Sequence, residues 1–352
     1  MDEAGFLRLI RGQTRGPLAG AARVGLGAAS IGAALGVLVR NLGYDRGRLQ
    51  TRRAAVPVVS VGNLTLGGTG KTPMVEWVAR WYRLRGVRVA ILSRGYRRDG
   101  SGGVNDEALV LEENLPDVPH LQDPDRVKIA GVAVEELGSE LLVLDDGFQH
   151  RRLARDLDIV LLDALEPFGL GALFPRGLLR EPVRSLRRAG LVVLTRADLV
   201  TADALRVTRA RAERLAGPIR WVVTRHAPID LIGAGSEPEP LERLRGRNVA
   251  AFCGIGNPEG FRKTIAPLCD TVVAFRTFPD HHAYKGSDVA DLTRWLAASG
   301  ADLALTTQKD LVKLRAAGLG GVPLRALRIG LEVMEGGEAL DAALAGLLPP
   351  AH

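Results

Sequence analysis

SVGNLTLGGTGKTP, residues Ser60–Pro73, ends in the Gly70-Lys71-Thr72 of a phosphate-binding loop, yet Thr65 stands where that signature places its first glycine. The flanking sequence decides how to read it. The apolar β-branched run VPVVSV (56–61) precedes it, and MVEWVARWYRLRG (74–86) follows with an amphipathic helical pattern. Strand, glycine-rich turn and helix are the context such a loop needs. Gly67, Gly68 and Gly70 let backbone N–H groups converge on phosphate oxygens, with Thr69 between them, and the helix N-terminus adds its positive end. Lys71 would reach the β/γ-phosphates and Thr72 would ligate Mg²⁺. These features predict a nucleoside triphosphate and Mg²⁺.

LLVLDDGFQH (141–150) supplies the second part, an apolar strand ending in Asp145-Asp146. Such an end places a carboxylate beside the loop threonine, where Mg²⁺ needs only one or two protein carboxylates. Further unalternating apolar runs are VRVAILS (87–93), DIVLLDA (158–164), LVVLTRAD (191–198), IRWVVTR (219–225), NVAAFCG (248–254), DTVVAF (270–275) and DLALTT (302–307). They fit strands buried on both faces of a parallel sheet, alternating with helices. The expected fold is α/β: a P-loop NTPase-like, mostly parallel sheet, a second, smaller α/β domain, and an N-terminal membrane-associating helix. The polar stretch GAGSEPEPLERLRGR (233–247) lies near the seam. The expected domains are 1–55 (basic and apolar head), 56–218 (the phosphate-loop domain) and 219–345 (smaller α/β).

The 352 residues suffice for two cores, and two cysteines make neither a disulfide framework nor a four-ligand zinc site. Residues 1–55 hold nine arginines against Asp2, Glu3 and Asp45, so the head carries most of the chain's formal +7. A basic head attracts anionic lipid or nucleic acid. Val24–Val39 is 16 residues without a charge, short of the ~20 that span a bilayer, and arginines flank it on both sides. On a helix, Val24, Ile31, Leu35 and Leu38 share one face, while Arg23, Gly27, Ser30 and Ala34 share the other. Arg8, Arg11 and Arg15 recur at helical spacing beside Phe6, Leu7, Leu9 and Ile10. A basic helix with an apolar side suits the plane of a membrane interface; the alternative is a glycine-rich helix packed on the protein's own core.

Other motifs are weaker. TRAD (195–198) approximates a guanine-reading loop but has Thr195 where asparagine belongs. Asp280-His281-His282 resembles part of a phosphoesterase metal site without that site's further aspartates. GIGNPEGF (254–261) is either a second anion-binding turn or, in the favoured reading, structural.

The motifs together carry a resemblance. SVGNLTLGGTGKTP, LSRGY (92–96), NDEALVL (105–111), LDDGFQHRRLARDLDIVLLDA (144–164), FPRGLLREP (174–182), GIGNPEGF, FPDHHAY (278–284) and TTQKDLVKL (306–314) follow in this order. The chain closely resembles the tetraacyldisaccharide 4′-kinase (lipid A 4′-kinase) family over about residues 17–330. The resemblance implies transfer of a phosphoryl group from ATP, with Mg²⁺, to the 4′-hydroxyl of a tetraacylated glucosamine disaccharide 1-phosphate, giving lipid IVA. It implies an acylated disaccharide lipid and an anionic membrane surface as partners, with no nucleic acid and no obligate protein partner evident. The implied location is the cytoplasmic face of the bacterial inner membrane, peripheral or monotopic.

The resemblance assigns Lys71 and Thr72 to phosphate and metal, Asp145, Asp146 and Glu181 to the metal region, and Arg94, Tyr96, Gln149, His150 and Arg180 to substrate and phosphate. The catalytic aspartate falls on Asp106, within Asn105-Asp106-Glu107-Ala108, where the family carries Gly-Asp-Glu-Pro. His281 is its implied partner. With Asp106 in the first domain and His281 in the second, the pair is expected to form when the domains meet over the acceptor. Gln308 stands where the family has glutamate, so an ion pair made there elsewhere is missing. The competing reading is a ParA/MinD-like membrane ATPase switch, whose loop carries lysine where this chain has Leu66 and which lacks the motifs beyond residue 250. A basic nucleic-acid-binding NTPase would need a basic, aromatic-bearing body.

Overall fold

The structure, a computed structural model, describes residues 3–95, 106–280 and 282–349, apart from the side chains of residues 3, 4, 106 and 107. In chain order the elements are α1 (Glu3–Ile10), α2 (Pro17–Asp45), β1 (Val58–Asn63), α3 (Lys71–Arg83), β2 (Val89–Ser93), α4 (Asp106–Asn114), β3 (His120–Gln122), α5 (Arg126–Glu135), β4 (Leu141–Asp145), β5 (Leu157–Asp163), β6 (Leu191–Thr195), α6 (Ala202–Ala216) and β7 (Trp221–Ile232). Then follow β8 (Asn248–Cys253), α7 (Pro258–Ile265), β9 (Thr271–Thr277), α8 (Gly286–Ser299), β10 (Leu303–Thr307), α9 (Gln308–Leu314), β11 (Gly318–Leu319), β12 (Val322–Glu335) and α10 (Gly337–Ala345).

The chain forms two compact units that are discontinuous in sequence: 1–95, 117–225 and 331–352 in one, 96–116 and 226–330 in the other. The first contains parallel strands in the order β3-β2-β4-β1-β5-β6, joined by the start of β7. The uninterrupted apolar runs of β1, β4, β5 and β6 have the buried faces that parallel packing requires. β1 lies beside β4 with Val61 opposite Asp145, which brings the end of the Asp145-Asp146 strand to the phosphate-loop end of β1. Gly62 and Gly147 make this approach possible: a Cβ at Gly62 would lie 2.7 Å from Phe148, and one at Gly147 would lie 2.5 Å from Ser60. The C-terminal helix returns to this unit, where Asp341 accepts from the Trp81 indole (2.8 Å) and the Leu344 carbonyl accepts from Tyr82 (2.8 Å).

α2 is a 29-residue helix, about 43 Å at 1.5 Å per residue, and is long and apolar enough to cross a membrane. Its small-residue face packs on the unit: Ala19 and Ser30 are buried, Gly27 and Ala34 half-buried, and Ser30 donates to the Leu173 carbonyl at 2.7 Å. The opposite face is apolar and exposed at Val24 (74%), Ile31 (66%) and Leu35 (57%). Leu38 is half-buried rather than part of that outer face, because it sits on the packed side with Val37.

The second unit is built on the parallel order β12-β10-β8-β9. α4 belongs to it, joined to α9 where the Gln308 amide donates to Glu113 (2.8 Å) and Asn114 (2.7 Å). The position read as a missing charge therefore bonds through a neutral amide, to the Glu113 carboxylate and to the Asn114 amide. Asp106, at the start of α4, is thus carried by the same unit as the residues flanking His281. The expected placement of Asp106 in the first domain therefore differs from the unit it falls in.

Candidate active site

The loop after β1 is clasped from two sides. On one, Thr65 bridges Leu179, Leu66 N donates to the Leu178 carbonyl (2.7 Å), and Arg180 N donates to the Leu64 carbonyl (2.8 Å). On the other, the Thr195 hydroxyl donates to the Thr69 carbonyl (2.9 Å) and Arg196 donates to the Gly68 carbonyl (3.2 Å) while its Nε pairs with Asp163 (3.0 Å). The TRAD motif is therefore a brace for the phosphate loop rather than a base-reading loop. Holding the loop carbonyls outward leaves its N–H groups to face a ligand. Gly67 (φ 103°) and Gly70 (φ 85°) adopt the left-handed region that glycine tolerates, and α3 starts directly at Lys71. A Cβ at Gly67 or Gly68 would meet nothing within 4 Å, so the cradle is open.

Asp146 sits at φ 53°, a strained position for a non-glycine residue, of the kind found at functional sites. Arg180 grips it in a fork (2.5 and 2.9 Å) and also donates to Asn63 (3.1 Å), while Lys71 Nζ lies 3.8 Å away. Burial would push the Asp146 carboxyl up, but the Arg180 hydrogen bond and the charges of Lys71, Arg180 and Arg126 more than offset it and hold it below the usual carboxylate range. Gln149 donates to the Asn63 carbonyl (3.0 Å). His150 is held neutral at neutral pH, its pKa pushed down to about 4 by burial and by Arg126, Arg152 and Arg155. Lys71, Asp146, Arg180 and Gln149 are therefore brought together around the end of β1. Arg94 follows β2 and is exposed. Tyr96 and His281 lie outside the described residues, as does the side chain of Asp106.

Glu181 is not where the metal reading puts it. It is 0% exposed, and both carboxylate oxygens are taken: one by Arg40 (2.8 Å), the other by Asn41 (3.0 Å) and Arg188 (2.9 Å). It ties α2 to the core, with three of its acceptor positions engaged by protein donors. Arg180 reaches Asn63 and Asp146 beside the loop, whereas Glu181, the next residue, is held by Arg40, Asn41 and Arg188.

Arg126 was missed by the sequence reading. It is buried at the first position of α5, and its Nε has no partner among the described residues. Burial pushes its pKa down first, and Arg94 pushes it further, whereas Asp146 and Asp145 raise it. The positive charge of Arg94 acting on Arg126 suits an anion there. In sequence it reads only as the residue after the Asp125 cap, whose carboxylate accepts from Val127 N and Lys128 N.

The second-unit motifs converge on Asp310, whose buried carboxylate accepts from Gly254 N (3.1 Å), Tyr284 (3.0 Å) and Thr307 (2.6 Å). GIGNPEGF is thus structural, with Asn257 capping α7. His282 pairs with Asp288 (3.1 Å) and stacks on Phe278, which anchors the chain on one side of residue 281.

Among the described residues no three His, Cys, Asp or Glu side chains cluster as a metal site. The residues nevertheless fit Mg²⁺ with a triphosphate, because such an ion needs one or two carboxylates and a hydroxyl. Asp146 and Thr72 supply these types at the strand end and helix start, and the buried Thr69 hydroxyl beside them has no partner among the described residues.

The family model of tetraacyldisaccharide-1-P 4′-kinase (LpxK) matches residues 23–348. The tetraacyldisaccharide 4′-kinase of Anaeromyxobacter dehalogenans (strain 2CP-C) is 47% identical over 320 residues, 86% of this chain and 84% of that one. That of Syntrophus aciditrophicus (strain SB) is 41% identical over 308 residues, 80% and 81% of the two chains. The crystal structure of LpxK from Aquifex aeolicus in complex with ATP superposes with a TM-score of 0.73 at 31% identity, covering 93% of this chain and all of that one. With its phosphate loop, open cradle and long apolar helix accounted for, the chain belongs to the tetraacyldisaccharide 4′-kinase family: it is an ATP- and Mg²⁺-dependent kinase of a lipid A precursor.

Proposed function

We propose that the chain binds the acylated disaccharide 1-phosphate at the cytoplasmic face of the inner membrane, as a monotopic protein without an obligate protein partner, and phosphorylates its 4′-hydroxyl to give lipid IVA. The observation that supports this division of labour is the packing of α2, whose small residues and Glu181 clamp face the core and whose large apolar residues face outward. ATP is available on that face of the membrane, and the acceptor arrives from within the leaflet.

In this reading the N–H groups of Gly67–Gly70 and the start of α3 bind the phosphates, and Lys71 neutralises charge on the transferring group. Thr72 with Asp145 or Asp146 would hold Mg²⁺, which would supply positive charge to the phosphates. Arg180 fixes Asp146, and Arg94 and Arg126 present positive charge to phosphate, with Gln149 and His150 lining the substrate side. Asp106 orients the acceptor hydroxyl and, with His281, accepts its proton as the new oxygen–phosphorus bond forms and the bond to ADP breaks. Incubating the chain with ATP and acceptor in mixed micelles tests this: phospholipid product equal to ADP released is expected. ADP without phospholipid would support a membrane ATPase switch instead.

A further inference from the structure

The loop Phe168-Gly169-Leu170-Gly171-Ala172-Leu173-Phe174 combines two features that are each unfavourable in water. Leu170 adopts the left-handed region (φ 63°, ψ 14°), between Gly169 (φ 51°) and Gly171 (φ 71°). A branched apolar residue is costly there, whereas glycine or asparagine would fit with little strain. Leu170 is also exposed (38%), as are Phe174 (47%) and Leu165 (50%) nearby. The loop is nonetheless ordered by hydrogen bonds from Leu178 N to the Gly169 carbonyl (2.8 Å), Phe174 N to the Leu179 carbonyl (2.9 Å) and Leu179 N to the Ala172 carbonyl (3.1 Å). It is a preformed apolar tip.

The tip is continuous with the amino-terminal helices. Phe6 of α1 packs on Phe174 with ring centroids 5.9 Å apart, Arg176 donates to the Ile10 carbonyl (3.1 Å), and Ser30 of α2 donates to the Leu173 carbonyl (2.7 Å). Cations flank it: Arg11 pairs with Glu166 (2.8 Å), the Arg211 guanidinium lies 3.5 Å from the Cβ position of Gly171, and Arg8 and Arg15 are exposed on the amino-terminal segment that packs on Phe174. Apolar side chains at a rigid tip, flanked by arginine, match the boundary between headgroups and acyl chains of an anionic leaflet.

We propose that the 168–174 loop is a second membrane-contact element of the catalytic core, inserting Leu170 and Phe174 into the leaflet beside α1 and α2. The proposal rests on the reading of α2 as a lipid-facing helix and extends the footprint to a segment that leads directly into Arg180. Lipid contact there would fix the phosphate-loop clasp at 178–180 at a defined depth above the acyl chains.

Leu170→Asn separates the proposal from a structural role. Asparagine relieves left-handed strain, so thermal stability in detergent should hold or rise. Partition into substrate-free vesicles of mixed phosphatidylcholine and phosphatidylglycerol should weaken roughly 3- to 10-fold. In a second arm, Leu170→Trp in the full chain should be quenched by vesicles with brominated acyl chains, beyond the background of the four native tryptophans. Leu84→Trp, on an exposed site at the far end of α3, should not be. Parent-like partition of Leu170→Asn with an unquenched Leu170→Trp overturns the proposal. Quenching that appears only when acylated acceptor is added also overturns it and makes the loop an acyl-chain subsite. If polar substitution of Val24, Ile31 and Leu35 abolishes binding while Leu170→Trp stays unquenched in parent protein, the loop fails and the α2 reading stands. The converse supports the loop and removes the α2 reading.

Discussion

Asp146 carries the charge balance of the phosphate site, because one strained carboxylate faces both Lys71 and the Arg180 fork. Lys71→Ala should lower kcat by about 10³, or ~4 kcal/mol of transition-state stabilisation, measured with saturating acceptor. Near-parent turnover would end the phosphate-loop reading. Asp106→Ala and His281→Ala should each reduce kcat strongly while leaving ATP affinity near parent, and the double variant should be little worse than either single one, because the two act as a unit. Additive losses, or a larger loss in His282→Ala, would remove the pair from the mechanism. Histidine burial sets a pH dependence of stability. His150 and His120 both titrate near pH 4, pushed down by burial, with Arg126, Arg152 and Arg155 adding to the effect at His150 and Asp125 opposing it. Between about pH 6.5 and 4 the unfolded chain therefore binds protons that the folded chain does not, and stability falls as pH falls. Urea midpoints at pH 7 and pH 5 should differ less in His150→Gln than in the parent; an undiminished difference would show that His150 is accessible to protonation when folded.

At the scale of elements, the join between α2 and the core is an ionic lock on Glu181, supported at the helix end by Arg151, which pairs with Asp45 (2.8 Å) and donates to the Asn41 carbonyl (3.1 Å). Glu181→Gln should cost about 3 kcal/mol in urea denaturation, because Arg188 is left without its buried counter-ion. Arg40→Ala should cost less, since Arg188 and Asn41 still satisfy the carboxylate. If Glu181→Gln keeps full stability and instead raises the Mg²⁺ requirement of the reaction, the carboxylate serves the metal after all. This element also shows what a sequence can and cannot disclose. The strands, the phosphate loop and the two faces of α2 were legible because each follows from local period: apolar runs for parallel strands, small residues every three to four positions for the packed face. The burial of Glu181 was not, because two of its three partners, Arg40 and Asn41, lie about 140 positions away in α2. For the same reason TRAD looked like a base reader until Thr195 and Arg196 were placed on the loop carbonyls of Thr69 and Gly68. The membership of α4 in the second unit depends on contacts such as Gln308 with Glu113, 195 positions apart. Arg126 carried no local signal beyond its place after a helix cap.

For the whole molecule, membrane attachment and lipid turnover need to be separated from folding, and the simplest truncation cannot do that. Removing residues 1–40 deletes the exposed apolar face, but it also deletes Arg40 and the Ser30 contact, so Glu181 loses one of its two arginines and the 168–174 loop loses its backing. A soluble but inactive truncation would therefore say little about lipid. Replacing Val24, Ile31 and Leu35 together with Asn changes only side chains that point away from the core. The small-residue face, the Glu181 lock and the phosphate site should stay intact, and the urea midpoint should move little. The protein should then shift from membrane to soluble fractions, and KM for the acylated acceptor in vesicles should rise by about tenfold or more while KM for ATP stays within about twofold, because three large apolar side chains no longer enter lipid. Charge reversal at Arg8 and Arg15 should weaken vesicle binding by only on the order of 1 kcal/mol per charge, and that loss should fade as salt is raised. With acceptor dispersed in detergent, where the leaflet no longer presents it, the triple variant should recover most of its parent rate. A rate that stays low in detergent would mean that the outer face of α2 contributes to catalysis itself rather than to meeting the lipid.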